Sequence, residues 1–287
     1  MKSFTLLFLL HFLVISGNGQ SKFNYNLDKP VIQHQLPKIL NEISGLTDID
    51  SSRVACVQDE LGIVFIYNFK SGEIVSLHRF DSIGDFEGLT YTKKALYILR
   101  SDGRLTEWKN FPENKTEFRH NNLHLLTSNN EGLCFDPKHN RLLIAAKNKP
   151  QNPNEKSKRF IYAYDLETRQ LNKEPVYSLD VEDLGVKSAD FNIQHSEANA
   201  KGKIRPFNFR PASLSVHPET DEIYIISASD KMLLVMNRKG EIIHMKPLNP
   251  EMFTKAEGIT FLDNGTMIIT NEAAGKTPTL FVFEMKR

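Results

Sequence analysis

Short apolar runs separated by turn residues fill the chain from about residue 31 to its end. A repeating set can be read as second strands: "RVACVQ", "ALYILR", "RLLIAAK", "EIYIISAS" and "TMIITNE". Each is followed by a third apolar run, such as "GIVFIYNF", "RFIYAYDL" and "TLFVFEMK", and a weaker fourth appears in "EIVSLHRF", "PVYSLDV" and "EIIHMKPL". The joints "KSGE", "DPKHNR", "HPETDE", "NRKGE" and "LDNGT" carry the Gly, Asn, Asp and Pro that hairpin turns require. Helical periodicity is nearly absent, so the pattern predicts an all-β protein.

The run that opens each repeat contains a conflict. "DFEGLTY" at 85–91 reads as a strand, yet it holds a Gly with an acid beside it, and both are poor strand formers. Gly inside a strand marks a bulge or a close approach of another backbone. The same conflict recurs in "NNEGLCF" and "KAEGITF". Aligning on the small residue and the aliphatic that follows pairs Gly45-Leu46, Gly88-Leu89, Gly132-Leu133, Ser213-Leu214 and Gly258-Ile259, with spacings of 43, 44, 81 and 45 residues. A period of about 40–50 residues built from short strands predicts a β-propeller with one four-stranded sheet per repeat. Five blades are preferred. A sixth would have to come from the polar stretch 182–209, which is too short for four strands and reads better as an inserted loop or short helix. Residues 148–158 form a second polar insert in the third blade. The last repeat ends after its third strand, so residues 31–40 are expected to supply the missing outer strand and close the ring.

Composition narrows the partners. Basic and acidic residues balance at 36 against 35, and no dense basic block appears, which argues against nucleic acid. Residues 1–20 read as a signal peptide: Lys2, an apolar run from Phe4 to Ile15, then small polar residues. The mature chain, residues 21–287, is then one exported propeller domain, secreted or periplasmic, without a stable membrane span. Cys56 and Cys134 lie in apolar runs and read as packed thiols rather than a disulfide. "NKT" at 114 and "NGT" at 264 fit a glycosylation pattern.

The ordered set "NEISGLTDID", "DFEGLTY", "NNEGLCFDP", "PASLSVHPETDEIYIISASDKMLLVMNRKGEII" and "KAEGITFLDNGTMIITNE" resembles the SdiA-regulated family over essentially the whole mature chain. The resemblance implies an exported propeller of the bacterial envelope and lends no reaction. The chain departs from that pattern at "RPASL", where an acid or Ser-Gly is expected.

First strands line a propeller's channel, so the acids beside the glycines are expected near the axis. The candidates are Glu42, Asp85, Glu87, Glu131 and Glu257, with Glu87 on the face of Asp85 and Ser44 on that of Glu42. Such acids repel one another unless one takes a proton, a Lys or Arg reaches in, or a cation binds. All-oxygen ligands favour Ca²⁺. Stapling of blades, a cation site and direct catalysis all stay open for them. A second set, Asp59, Glu60, Asp102, Lys147, Asp230 and Glu272, falls at the ends of second strands and is expected to rim one mouth. No nucleophile elbow, phosphate loop or paired-His motif appears. These features favour a binding module for an envelope protein, peptide or glycan. A calcium-dependent hydrolase, like lactonase, esterase or phytase propellers, is the alternative, and a purely structural module is a third.

Overall fold

The computed structural model describes residues 22–113, 117–193 and 207–287. Five antiparallel sheets follow one another around an axis, and the innermost strand of each is Ile43–Asp48, Phe86–Tyr91, Asn130–Asp136, Ser213–Val216 or Ala256–Phe261. Each inner strand contacts the inner strands of the blades before and after it, and the fifth returns to the first, so the ring is closed. The expected five-bladed all-β propeller is what forms.

The burial of each strand follows from its distance to the axis. Second strands such as Ile223–Ser227 and Met267–Asn271 are buried throughout, because neighbouring blades cover both faces. Their apolar runs are therefore unbroken. The outer strand Glu73–Ile83 alternates exposed and half-buried positions over most of its length, since one face meets water. The hydrophobic core is accordingly divided into layers between blades. Val54, Phe65 and Tyr67 of the first blade pack with Ile268 and Val282 of the fifth, while Ala55, Val57 and Val64 pack with Leu96 and Trp108 of the second. Cys56 and Cys134 are buried free thiols within these layers.

Closure comes from Ile32–Gln35, which pairs antiparallel with the last strand, Thr279–Phe283, in the register Ile32↔Val282. This is shorter than the expected 31–40, because Pro37 ends the strand and a 3₁₀ turn, Lys38–Leu40, follows. A second strap precedes it. Tyr25 lies buried and bonds His217 Nε2 at 2.7 Å and the Gly265 carbonyl at 2.5 Å. His217 Nδ1 accepts the amides of Glu219 and Thr220, so Nε2 carries the proton and donates to Tyr25. His217 is thus turn chemistry, as "HPETDE" suggests.

Two details depart from ideal repeats. The outer strand of the third blade is split into Gln170–Leu171 and Tyr177–Asp180, which both pair with Lys158–Asp165. The polar insert begins as a helix, Val181–Lys187, capped by the Asp180 carboxylate accepting the Glu182 amide, and continues as a 3₁₀ turn, Ser188–Phe191. The rest of that insert from 194 to 206, the signal-peptide reading at 1–20 and Asn114 lie outside the described residues. Among the described residues no helix is long and apolar enough to cross a membrane.

Candidate functional site at the channel mouth

Both readings of the strand glycines hold. The ladder shifts register between Phe86 and Gly88, between Asn130 and Gly132, and between Ala256 and Gly258, which leaves Glu87, Glu131 and Glu257 as the bulged residues. The glycine that follows meets the next blade. A Cβ on Gly88 would stand 2.6 Å from Leu133 Cβ and 2.8 Å from the Glu131 carbonyl oxygen, and one on Gly258 would stand 2.8 Å from Leu46 Cβ. No side chain fits there. In the fourth blade Ser213 takes the glycine's place and its Oγ accepts the Ile259 amide at 3.3 Å, which accounts for the departure at "RPASL".

Blade-to-blade stapling is mostly the work of hydroxyls two residues further on. Thr47 Oγ1 accepts the Tyr91 amide at 3.1 Å, Thr90 Oγ1 accepts the Phe135 amide at 3.0 Å, and Thr260 Oγ1 accepts the Asp48 amide at 3.2 Å. These threonines, with Cys134 and Ser215, line a cavity of about 290 Å³ at the opposite mouth. The Gly-aliphatic-Thr pattern was present in the sequence and could have identified them.

Glu87, Glu131 and Glu257 come together around Lys147. The Lys147 ammonium lies 2.6 Å from Glu131 Oε2 and 4.0 Å from Glu257 Oε1, while Glu131 Oε1 accepts from Asn129 Nδ2 at 3.0 Å. Glu87 Oε2 accepts from Ser44 Oγ of the preceding blade at 2.8 Å. Lys255, which the sequence reading missed, lies 3.4 Å from Glu257 Oε1 and pairs closely with Glu272. Its spacing two residues before Glu257 was the available signal. Lys147 was expected on the rim; its long side chain instead reaches the centre of the acids. Burial pushes Glu87 up to about 7, with Asp85 and Glu257 adding repulsion. Burial raises Glu131 and Glu257 as well.

A second group stands toward the rim. Glu42 is raised by burial and by a side-chain contact with Glu272. Asp59 is pushed up to about 6 by burial, then by Glu42, Glu272, Glu60 and Asp85. Asp85 is exposed and accepts from Ser101 Oγ, so it does not join the axial acids. Glu60 is exposed beside Asp59. Asp102 stays apart, pairing with Arg100 at 2.6 Å, and Asp230 accepts the Asn208 amide at 3.0 Å.

Two buried carboxylate oxygens here have no hydrogen-bond donor, Asp59 Oδ1 and Glu257 Oε2, whereas Glu131 Oε2 and Glu257 Oε1 face the ammoniums of Lys147 and Lys255. Among the described residues, no group of three or more Asp, Glu, His or Cys side chains is placed so that it could hold a metal ion. The arrangement can hold a proton near neutral pH or exchange one with a ligand.

These features define a five-bladed propeller with a carboxylate-rich mouth. The chain matches the SdiA-regulated family over residues 19–199 and 200–286, and it belongs to that family. No curated protein matches it. Among solved structures it is similar to Myxococcus xanthus glutaminyl cyclase, with a TM-score of 0.57 at 15% identity, covering 90% of this chain and 96% of that one. It is also similar to a chain of a mitotic checkpoint complex, with a TM-score of 0.50 at 11% identity and full coverage of both. At such identities the likeness is one of fold.

Proposed function

We propose that this protein is an exported binding propeller of the cell envelope, whose acidic mouth takes a cation as part of recognising its ligand. The observation that carries this reading is the excess of negative charge at the rim. Glu42, Asp59, Glu60, Asp85 and Glu272 stand close enough to raise the Asp59 carboxyl, and Lys255 is the cation in contact with that group through Glu272. The axial acids have Lys147; the rim has a deficit. Its donors are all hard oxygens, which suits Ca²⁺ better than a thiolate- or imidazole-seeking metal. Glu42, Asp59 and Glu272 are the residues that would hold it, and the ion would supply a fixed positive charge for an anionic or hydroxyl-bearing ligand. The apolar leader of the sequence supports export.

The test is thermal unfolding of residues 21–287 in EDTA and then in Ca²⁺, Mg²⁺ or Zn²⁺. An extracellular-type site with Kd of about 0.1 mM gives about 2.7 kcal/mol at one hundred times that concentration. In a domain of this size that is a rise in Tm of roughly 5 °C. The rise is expected for Ca²⁺ and lost in Glu42→Gln and Asp59→Asn. An unchanged Tm at 10 mM Ca²⁺ would overturn the reading.

A catalytic reading is favoured by one observation. Glu87 at about 7 and Asp59 at about 6 are tuned for general acid–base work near neutral pH. The fold likeness to a glutaminyl cyclase suggests one reaction to try: attack of an N-terminal amine on its own γ-amide, with proton removal from the amine and protonation of departing ammonia. Ammonia release from Gln-initiated peptides tests it. Ester and lactone substrates with Ca²⁺ present test the hydrolase alternative.

A further inference from the structure

Beside the acidic mouth, where the third and fourth blades meet, lies a cavity of about 710 Å³ of opposite character. Its walls include Lys149, Lys156, Arg159 and Arg210, with Asn148 and Asn208 between them, and among the described residues no Asp or Glu lines it. Arg159 is 6% exposed, and its Nε has no hydrogen-bond partner. Its other nitrogens are held by the carbonyls of Lys156 and Lys158 at 3.2 and 2.8 Å and by Asn208 Oδ1 at 3.3 Å. Arg210 donates to Asn148 Oδ1 at 2.5 Å, which ties the two inserts across the cavity. Among the described residues, none of the four cations lining the cavity forms an ion pair within the cavity wall.

We infer that this cavity is an anion site, built to take a carboxylate, sulfate or phosphate group of a ligand between the Arg159 and Arg210 guanidiniums. Two planar guanidiniums flanked by two exposed ammoniums are the donor set that matches such oxyanions. Burying Arg159 next to Arg210 disfavours its charged form, a cost that Asp180 and Asp230 offset only in part. A bound anion would remove the repulsion and supply the missing acceptor. The site also adjoins the mouth: Asn148 follows Lys147, the lysine among the axial acids. A ligand spanning both would need an anionic group at one end and a cationic group, or a bridging cation, at the other. The anion site itself does not depend on a cation binding at the mouth.

The experiment is Tm and titration calorimetry of residues 21–287 in EDTA, with sodium phosphate, sulfate or acetate at millimolar concentration. Ionic strength is held constant with NaCl, because sulfate and phosphate also stabilise proteins non-specifically. The expected result is saturable binding, with either the tetrahedral anions or acetate preferred, which separates phosphoryl or sulfuryl ligands from carboxylates. Loss of one bidentate guanidinium in Arg210→Gln should weaken binding at least about tenfold. The double variant Lys149→Gln/Lys156→Gln changes exposed side chains only, and should weaken it severalfold with an unchanged fold. Equal shifts with NaCl alone, undiminished binding in both variants, or binding that appears only when Ca²⁺ is added would each overturn the inference.

Discussion

Replacing Glu87 with Gln should stabilise the protein at alkaline pH and flatten its pH dependence. The Glu87 carboxyl goes from an ordinary 4.5 to about 7 on folding, chiefly through burial and then through Asp85 and Glu257. The folded state therefore keeps a proton between those values that the unfolded chain has released. The stability this contributes is present in full below pH 4.5 and is lost as pH rises through 7. At about 1.4 kcal/mol per pH unit the loss amounts to about 3 kcal/mol. Glu87 is partly exposed, so about 2 kcal/mol is the better expectation. Gln keeps an oxygen to accept from Ser44 and forfeits only the attraction to Lys147. Urea unfolding of wild type and Glu87→Gln at pH 5, 6.5 and 8 in EDTA measures this directly. The variant should exceed wild type by only about 0.5 kcal/mol at pH 5 and by about 2 kcal/mol at pH 8. An equal difference between the two proteins at all three pH values would refute the claim that the carboxyl is held protonated by its surroundings.

Other perturbations probe the frame. Gly88→Ala pushes a methyl against the Leu133 side chain and the Glu131 carbonyl of the next blade, and should cost about 2–3 kcal/mol or more in urea unfolding. Thr90→Val leaves the Phe135 amide without its acceptor and should cost about 1–3 kcal/mol by the same assay. Tyr25→Phe removes the hydroxyl shared by His217 and Gly265, at about 1–2 kcal/mol, and should raise proteolytic cleavage of the N-terminal strap. Lys147→Met strips the axial acids of their counter-charge. It should destabilise by about 3–5 kcal/mol at pH 8 and by much less at pH 5, where the carboxyls can be protonated.

The architecture was legible because a close approach constrains residue type. Where an inner strand runs against Leu133 or Leu46, only a residue lacking Cβ fits, so Gly88 and Gly258 had to appear at the repeat spacing. The blade count followed from them. The site was less legible for two physical reasons. First, bulges break the alternation that a sequence reader counts on: the extra residue at Glu87 separates it from Asp85, whose partner is Ser101 instead. Second, long side chains report poorly where their charge ends up. Lys147 starts beyond a second strand, yet its ammonium lies among acids from first strands. Arg159 and Arg210 flank the two inserts, where no repeat exists to mark them.

The repeats also bear on why the acids are there. Glu87, Glu131 and Glu257 precede the small residue of the second, third and fifth blades, while Ser44 and Ala212 stand at that position in the first and fourth. Those two blades join the same closed ring. Stapling by backbone amides runs through Thr47, Thr90, Thr260 and Ser213 in blades with and without the acid. Closure therefore does not require a carboxylate before the glycine. Each of these acids instead carries a desolvation cost that a Ser or Ala would avoid, which Lys147 and Lys255 offset in part while Glu257 Oε2 is left without a donor. A cost borne at the mouth, and not needed for the ring, fits the binding role proposed for the mouth.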